Sequence, residues 1–273
     1  MTKAVGPSPA AVPERATRAG EIHEASLPRQ EWSWVEPRVW TERMLAALAR
    51  GVTGGQWYSL IDKLYPDDVL GRAFARVAAN RGAAGVDHVS VARYARDLDA
   101  NLRRLSEELR TGSYRPQAIR RHYIPKPGSR ETRPLGIPTV RDRVVQTALR
   151  LVLEPIFERD FARHSYGFRP GRGCKHALRR VDELLKSGYV HVVDADLKSY
   201  FDTIPKDRLL ARIGQKVSDG RILALIEAFL EQGVLDGLDE WTPPSASSGS
   251  ALAGGGGRPR SDSPRSRSRC PAR

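Results

Sequence analysis

The stretch VVDADLKSYFDTI, from Val192 to Ile204, places two carboxylates directly after a strand-forming run. That run, YVHVV from Tyr189, is rich in the β-branched and aromatic residues that favour strands. Asp194 and Asp196 are two residues apart, so on an extended chain they share one face. A carboxylate on a stiff strand can hold a divalent cation. A strand end followed by a capped helical turn, with Asp196 or Asp202 as the cap, explains the same residues.

A second informative stretch lies upstream, RRHYIPKPGSRETRPLGIPTVRDRVVQTALRLVLEP from Arg120. Two short apolar runs on either side of a Pro-Gly-Ser-Arg tip predict a β-hairpin. Lys126 and Arg133 flank the tip, where flexible cations could reach a triphosphate. A helix is predicted next, from Arg141 to Leu153, because its apolar residues recur at helical spacing. The plain alternative is a surface hairpin that leads into a core helix.

Between these two stretches lies a glycine-rich basic loop, HSYGFRPGRGCKHAL from His164 to Leu178. Its glycines permit close backbone approach to a ligand. Aromatic residues interleaved with cations are typical of surfaces that bind nucleic acid, because rings stack on bases and cations contact phosphates. An ordinary Gly/Pro turn before a helix is the alternative. The candidate phosphate contacts are Arg163, Arg169, Arg172 and Lys175, and the candidate stacking rings are Tyr166 and Phe168.

Taken in order, the three stretches resemble the fingers and palm of group II intron reverse transcriptases, the intron-encoded maturases. IPKPGSRETRPLGIPTVRDRVVQ is similar to the first core block of that family, SYGFRPGRGCKHAL to the second and DADLKSYFDTI to the third. Farther upstream, NRGAAGVDHVSV from Asn80 to Val91 resembles the N-terminal extension that helps to hold RNA. The resemblance covers roughly residues 39 to 240, and four blocks in the right order make it specific.

The resemblance implies a role for each matching residue. Asp196 corresponds to the catalytic, metal-binding aspartate, and Leu197 would add its backbone carbonyl to a Mg²⁺ site. Phe201 corresponds to the aromatic gate against the wrong ribose, and Lys126 and Arg133 to the pair that binds the dNTP triphosphate. The implied reaction is attack of a DNA primer 3′-hydroxyl on the α-phosphate of a dNTP, directed by an RNA template, with two metal ions. The implied partners are a group II intron RNA or RNA template, dNTPs and a primer.

Two blocks expected of this family are missing from the sequence. No PQG and no YADD box follows Trp241, and the YADD aspartates complete the metal site in the family. The early Asp67-Asp68 pair reads instead as the start of a helix. We therefore expect this polypeptide alone to lack polymerase activity. The alternatives are a non-catalytic, maturase-like RNA-binding module and a polymerase completed in trans or by translational frameshifting.

The residues after Trp241 are mostly Gly, Ser, Pro, Arg and Ala. Such a composition is expected from GC-rich DNA read in a shifted frame, and a disordered RNA-binding tail with Ser-Arg dipeptides is the rival explanation.

The formal net charge is +13. Six arginines and one aspartate after Trp241 account for +5 of it, so +8 belongs to the rest of the chain. This excess predicts salt-sensitive binding to a polyanion.

The sequence lacks the signals of a secreted, disulfide-bonded, zinc-binding or membrane-spanning protein. Cys174 and Cys270 form neither a disulfide framework nor a zinc motif, which suits a reducing, cytoplasmic location. No apolar run is long enough to cross a membrane, and the N-terminus lacks the apolar region of a secretory signal.

The predicted fold class is α+β, a partial right-hand polymerase with a helical N-terminal extension and disordered termini. Helices are predicted over Val39 to Arg50, Asp67 to Ala79, Ser90 to Leu109 and Ser218 to Gln232. The tryptophans before residue 60 are interpreted as core packing. An incomplete palm sheet predicts marginal stability. The predicted domains are a disordered segment (1–38), an RNA-binding helical extension (39–115), fingers and the start of the palm (116–189), a partial palm (190–240) and a disordered tail (241–273).

Overall fold

The computed structural model describes residues 32–52, 54–128, 130–197, 200–237 and 239–241. Within these residues helices and strands are mixed, which confirms the predicted mixture of the two. None of the helices described is long and apolar enough to cross a membrane. The helices are α1 (Glu42–Arg50), α2 (Asp67–Ala79), α3 (Val91–Arg96), α4 (Leu98–Thr111), α5 (Val140–Glu158), α6 (Cys174–Lys186), α7 (Tyr200–Thr203), α8 (Lys206–Gly214) and α9 (Gly220–Leu230). The strands are β1 (Ile119–Pro125), β2 (Thr132–Ile137), β3 (Val234–Asp236) and β4 (Asp239–Trp241).

The core is helical, and α5 lies at its centre. Apolar residues recur along α5 at helical spacing, so one broad side of the helix packs against α2. α5 continues past the predicted end at Leu153, although Pro155 removes a backbone donor inside the helix. The carbonyl of Leu151, left free by that missing donor, accepts a hydrogen bond of 3.1 Å from the indole N–H of Trp40. The helix therefore passes through the proline without an unpaired carbonyl at this point.

The segment that precedes α1 is part of the core. Val35 and Trp40 are buried, and Trp32 and Trp34 pack against the core with their rings 5.8 Å apart. The prediction of disorder for residues 1–38 is therefore wrong for 32–38, because these large apolar side chains are removed from water. Residues 1–31 lie outside the described residues. The interpretation of the tryptophans before residue 60, including Trp57, as packing residues is confirmed.

The predicted helix from Ser90 to Leu109 is two helices. α3 is capped by the Ser90 hydroxyl, and the chain leaves helical geometry at Asp97 before α4 begins. The Asn101 side-chain amide donates to the Tyr94 carbonyl over 3.0 Å, which supplies a partner near the break. The interruption accompanies burial of Tyr94, whose ring lies 5.7 Å from that of Phe74 on α2. Packing against α2 accounts for a break that helical periodicity does not predict.

Four strands form one sheet in the order β2–β1–β3–β4. β1 and β2 are the predicted hairpin, paired antiparallel from Arg120–Ile137 to Pro125–Thr132. β3 pairs parallel with β1, and β4 pairs antiparallel with β3 across the turn at Gly237. This second hairpin was not predicted, although Asp-Gly is a common turn signal. Trp241 lies in β4, so the predicted tail boundary at residue 241 is wrong by one residue, and 242–273 lie outside the described residues.

A buried carboxylate joins α9 to the N-terminal half of the chain. Asp219 caps α9 by accepting hydrogen bonds from the backbone N–H groups of Arg221 and Ile222, at 3.0 and 3.2 Å. Its other oxygen accepts from the N–H groups of Leu60 and Ile61, at 2.6 and 2.9 Å. One side chain therefore accepts hydrogen bonds from the first turn of α9 and from the start of the 3₁₀ turn at Ile61–Lys63, although the two segments are far apart in the sequence.

The strand predicted from Tyr189 to Val193 is not present. Residues 189–197 have no regular secondary structure, and Val193 is 93% exposed. An isolated strand has no partner for its backbone groups and no surface on which to bury its side chains. In the part of the chain described, no strand pairs with this segment. High β-propensity alone therefore does not produce a strand here.

Candidate nucleic-acid interface

The β1–β2 hairpin places Lys126 and Arg133 on the same face. Ile124 pairs with Arg133, and the backbone N–H of Lys126 donates to the Glu131 carbonyl over 2.9 Å. Opposed residues on antiparallel strands share a face, and every second residue returns to it. Lys126 Nζ lies 2.7 Å from a Glu131 carboxylate oxygen, and this hydrogen bond lowers the pKa of the Glu131 carboxyl. A triphosphate would therefore compete with Glu131 for Lys126.

A buried network attaches the start of β1 to α5. Asp142, which is inaccessible to solvent, accepts hydrogen bonds from the Tyr114 hydroxyl (2.6 Å) and from the Gln117 backbone N–H (3.0 Å). The Gln232 side-chain amide donates to the Gln117 carbonyl. Burial, and then the charge of Asp142, raise the pKa of Tyr114, so its hydroxyl remains a donor. Sequence reasoning missed Asp142, because it stands between Arg141 and Arg143 and gives no local signal of burial.

A second polar cluster joins β1 to β3. Arg121 and Tyr123 are two residues apart on β1, so both side chains lie on one face of the sheet. The Asp236 carboxylate on β3 accepts from both, at 3.2 Å from Arg121 and 2.6 Å from the Tyr123 hydroxyl. Part of the positive charge of the hairpin is therefore neutralised within the sheet, while Arg133 lies on the opposite face.

The basic loop leaves most of its predicted residues accessible. Arg163, Arg172 and Lys175 are exposed, and Tyr166 is half-buried. The Arg172 guanidinium lies 5.9 Å from the centre of the Tyr166 ring, and its N–H donates to the Arg163 carbonyl. Arg163, Tyr166 and Arg172 therefore lie close together, and Lys175 is exposed in the first turn of α6. Their role in binding RNA stays a prediction.

Arg169 differs from the rest of the predicted RNA-binding set, because its side chain is only 5% exposed. It donates to the Glu158 carboxylate through both Nε and Nη2, and it donates to the carbonyls of Ala162 and Ser165. A guanidinium with this set of internal partners holds the loop against the end of α5. The Arg169 side chain is therefore buried and paired within the protein, and Arg169 does not belong to the exposed residues proposed to contact RNA.

The predicted metal ligands are not assembled into a site. Asp196 is exposed in the irregular segment, and Leu197 and Phe201 are 68% and 80% exposed. Nowhere in the described residues do three His, Cys, Asp or Glu side chains come close enough to hold a metal ion. The residues present therefore do not fit the Mg²⁺ site that the resemblance implies. Asp194 is also exposed.

The loop that resembles the N-terminal extension block packs closely on the start of α5. A Cβ on Gly85 would lie 2.6 Å from the Thr139 Cα, so only glycine fits there without a shift. Arg143 on α5 donates to the Ala83 carbonyl over 2.7 Å. Arg81 and His88 have positive φ, an uncommon conformation for residues with a side chain. The loop is thus fixed to the same helix that carries Asp142.

Comparisons with known proteins agree with the pattern of blocks. The family model for reverse transcriptase (RNA-dependent DNA polymerase) matches residues 124–243. Protein YkfC of Escherichia coli strain K12 is 36% identical over 221 residues, which cover 79% of this chain and 54% of YkfC. The group II intron-encoded protein LtrA of Lactococcus lactis subsp. cremoris is 38% identical over 138 residues, 50% of this chain and 23% of LtrA.

The mitochondrial nuclear intron maturase 1 of Arabidopsis thaliana is also similar, at 35% identity over 94 residues, 34% of this chain and 13% of the maturase. The chain thus spans about half the length of YkfC and smaller parts of the other two relatives. The matching region includes the end of β1, all of β2, the basic loop and the segment that carries Asp196. Residues 124–243 thus match the reverse transcriptase family model, and the chain is similar to group II intron-encoded proteins and intron maturases.

Proposed function

We propose that this chain binds group II intron RNA and assists its folding, as a maturase does. The observation that carries the proposal is the accessible basic surface of the loop, where Arg163, Arg172 and Lys175 are exposed and Arg172 lies beside the Tyr166 ring. Cations beside an aromatic ring suit a phosphodiester chain with unstacked bases. The net charge of +13 adds long-range attraction for a polyanion.

The same chain is proposed to supply the fingers and the first part of the palm of a right-hand polymerase. In this proposal Lys126 and Arg133 bind the triphosphate of a dNTP, and Phe201 lies against its sugar. Asp196 and the Leu197 carbonyl are proposed Mg²⁺ ligands, which need further carboxylates to form a site. Until such carboxylates are in place, RNA binding is the activity proposed for the chain.

Filter binding tests the RNA-binding proposal. Labelled group II intron RNA and an unrelated RNA of the same length would be titrated with the protein over a series of salt concentrations. We expect tighter binding to the intron RNA, and a slope of log K against log salt of about −0.7 to −0.9 for each phosphate contacted. A triple Arg163→Gln, Arg172→Gln, Lys175→Gln variant should lower the affinity and reduce the slope. Equal affinity for the two RNAs would contradict the maturase role.

A charge-matched control separates this surface from general electrostatics. Lys186 at the end of α6 and Arg208 and Arg212 on α8 are exposed and lie outside the predicted helical extension, and their triple change to Gln removes the same formal charge. If both triple variants lose affinity equally, binding follows net charge and the loop surface is not the site.

Primer extension tests the second part of the proposal. The purified protein would be given an RNA template, a DNA primer, dNTPs and Mg²⁺. We expect no extension, because no cluster of three metal-ligating side chains exists among the described residues. Extension that disappears in Asp196→Asn would show that the chain completes a polymerase site by itself.

A further inference from the structure

The Phe168 side chain is fully exposed at the surface of the protein. Its backbone has φ 54°, a conformation that is uncommon for a bulky residue. Exposure of an entire phenyl ring forfeits the stabilisation that burial would supply. Strained backbone at an exposed side chain persists only where its surroundings impose it, and such positions concentrate at binding sites.

The neighbouring residue accounts for the position of this ring. Arg169 is held by Glu158, Ala162 and Ser165, so the backbone directly after Phe168 is tied to the end of α5. The Arg169 guanidinium also lies 5.2 Å from the Phe161 ring on its other side. The exposed ring is therefore presented by an anchored backbone.

Phe168 forms one wall of a cleft of about 310 Å³. The cleft joins four parts of the chain, and it contains a second aromatic ring and several arginines. Ligand sites commonly have about 300–1,000 Å³, so this cleft suits a single base better than a helix or a folded domain. Its lining residues are Trp34, Arg76 on α2, Arg150 and Glu154 on α5, Phe168, and Arg169 with Pro170.

Two of these arginines retain accessible donors. Arg150 lies 3.0 Å from Glu154, yet its side chain is 64% exposed. Arg76 lies 4.0 Å from Glu36, at the limit of an ion pair, and is 44% exposed. Each guanidinium has five N–H donors, so one carboxylate leaves most of them available for a phosphate. Glu154 is mostly buried beside Arg150, which leaves the outer part of the cleft to the cations.

We propose that this cleft binds one unstacked base of a single-stranded RNA segment. The base stacks on Phe168 and lies towards Trp34, and the adjacent phosphates contact Arg76 and Arg150. An aromatic ring beside arginines matches the two parts of a nucleotide, since every base has a stacking face and every linkage a negative charge. This inference rests on the proposed RNA binding, and it adds a site outside the basic loop surface and the hairpin.

Fluorescence anisotropy with a labelled single-stranded RNA of about six nucleotides tests the stacking role. Phe168→Ala is expected to weaken binding roughly five- to a hundredfold, and Phe168→Trp to keep it near the wild-type value. Phe168 has no buried surface to lose, so the thermal melt of both variants should match the wild type. Tyr189→Ala is the matched control, because Tyr189 is another exposed aromatic residue, at 66%, that neither lines the cleft nor lies in the helical extension.

The arginines are tested by the salt dependence of the same binding. Arg76→Gln and Arg150→Gln should each reduce the slope of log K against log salt by about 0.7, the value for one phosphate of a single strand. Arg208→Gln, at an exposed position of α8 outside the helical extension, should leave the slope unchanged. Photo-crosslinking of RNA that contains 4-thiouridine should place the attachment on the peptide with Phe168 or on the peptide with Trp34.

The outcomes separate this inference from the proposed function. If the wild-type protein binds no RNA, both fail. If it binds RNA but Phe168→Ala binds equally well, or if crosslinks fall only on the hairpin or the basic loop surface, the cleft is not an RNA site while the proposed function stands. Loss of binding in Tyr189→Ala to the same extent would also overturn the inference, because the effect would not be specific to the cleft.

Discussion

Helices α5 and α6 have apolar residues at helical spacing, but their surroundings differ. Val144, Val145 and Ala148 on α5 have no solvent exposure, whereas Leu178 and Leu185 on α6 are 66% and 49% exposed. In the described chain α2 and the segment before α1 cover the apolar side of α5, and α6 contains no buried residue. An apolar stripe therefore predicts a helix, whereas the stability of that helix depends on whether another element covers the stripe.

The largest expected difference comes from one substitution made in the two regions. Leu70→Ala on α2 removes a side chain with no exposure and should lower the free energy of unfolding by about 2–5 kcal/mol. Leu178→Ala on α6 removes the same atoms from a mostly exposed position and should change it by less than about 0.5 kcal/mol. Urea denaturation followed by circular dichroism measures both. Similar losses in the two variants would show that α6 is covered in solution.

The next effect concerns the carboxylate that joins two parts of the folded region. Asp219→Ala leaves the buried Leu60 N–H without its acceptor and removes the cap of α9, so we expect a loss of about 2–4 kcal/mol. Ser90→Ala removes an exposed cap of α3 and should cost about 1 kcal/mol or less. The same denaturation experiment compares them, and an equal cost would contradict the structural role of Asp219.

A smaller effect is expected from the close contact between the loop at residues 80–91 and α5. Gly85→Ala would place a Cβ against the Thr139 backbone and should cost about 1–3 kcal/mol. Gly167→Ala meets nothing within 4 Å in the basic loop and should be nearly neutral. The midpoints of thermal melts of the two variants give the comparison. A neutral Gly85→Ala would mean that the loop is not held on α5 in solution.

The parts of the fold that sequence reasoning predicts are those set by local signals. α2 begins at Asp67 and ends at Ala79 as expected, because acidic residues after Pro66 mark its start and its apolar spacing is regular. The β1–β2 hairpin follows from a Pro-Gly tip between apolar runs. Each of these signals lies within a few residues of the feature that it determines.

The parts that sequence reasoning missed depend on contacts between distant residues. The parallel pairing of β3 with β1 joins residues more than a hundred positions apart, and no local pattern reports it. The burial of Arg169 depends on Glu158, and the roles of Asp142 and Asp219 depend on backbone groups of other elements. The predicted strand at Tyr189 had the right residue types, but a strand needs a partner.

The candidate site shows the same division between features set by local signals and features set by contacts between distant residues. The types of residue in the hairpin and the basic loop predicted a polyanion surface, and the structure leaves Arg163, Arg172 and Lys175 accessible. The residue type at Asp196 predicted a metal ligand, but a metal site requires several ligands in one place. Position in a motif therefore predicts a role for a residue, and only the fold shows which groups meet.

Hydrogen exchange of the purified protein, followed by mass spectrometry, tests most directly the difference between the buried core and the segment with Asp196. We expect slow exchange at the amides of α5, which are hydrogen-bonded in a buried helix, and exchange near the unprotected rate at residues 190–197. Protection of the Val190–Val193 amides comparable to that of α5 would contradict the account, because it would mean that this segment is a paired strand that holds Asp196 in place.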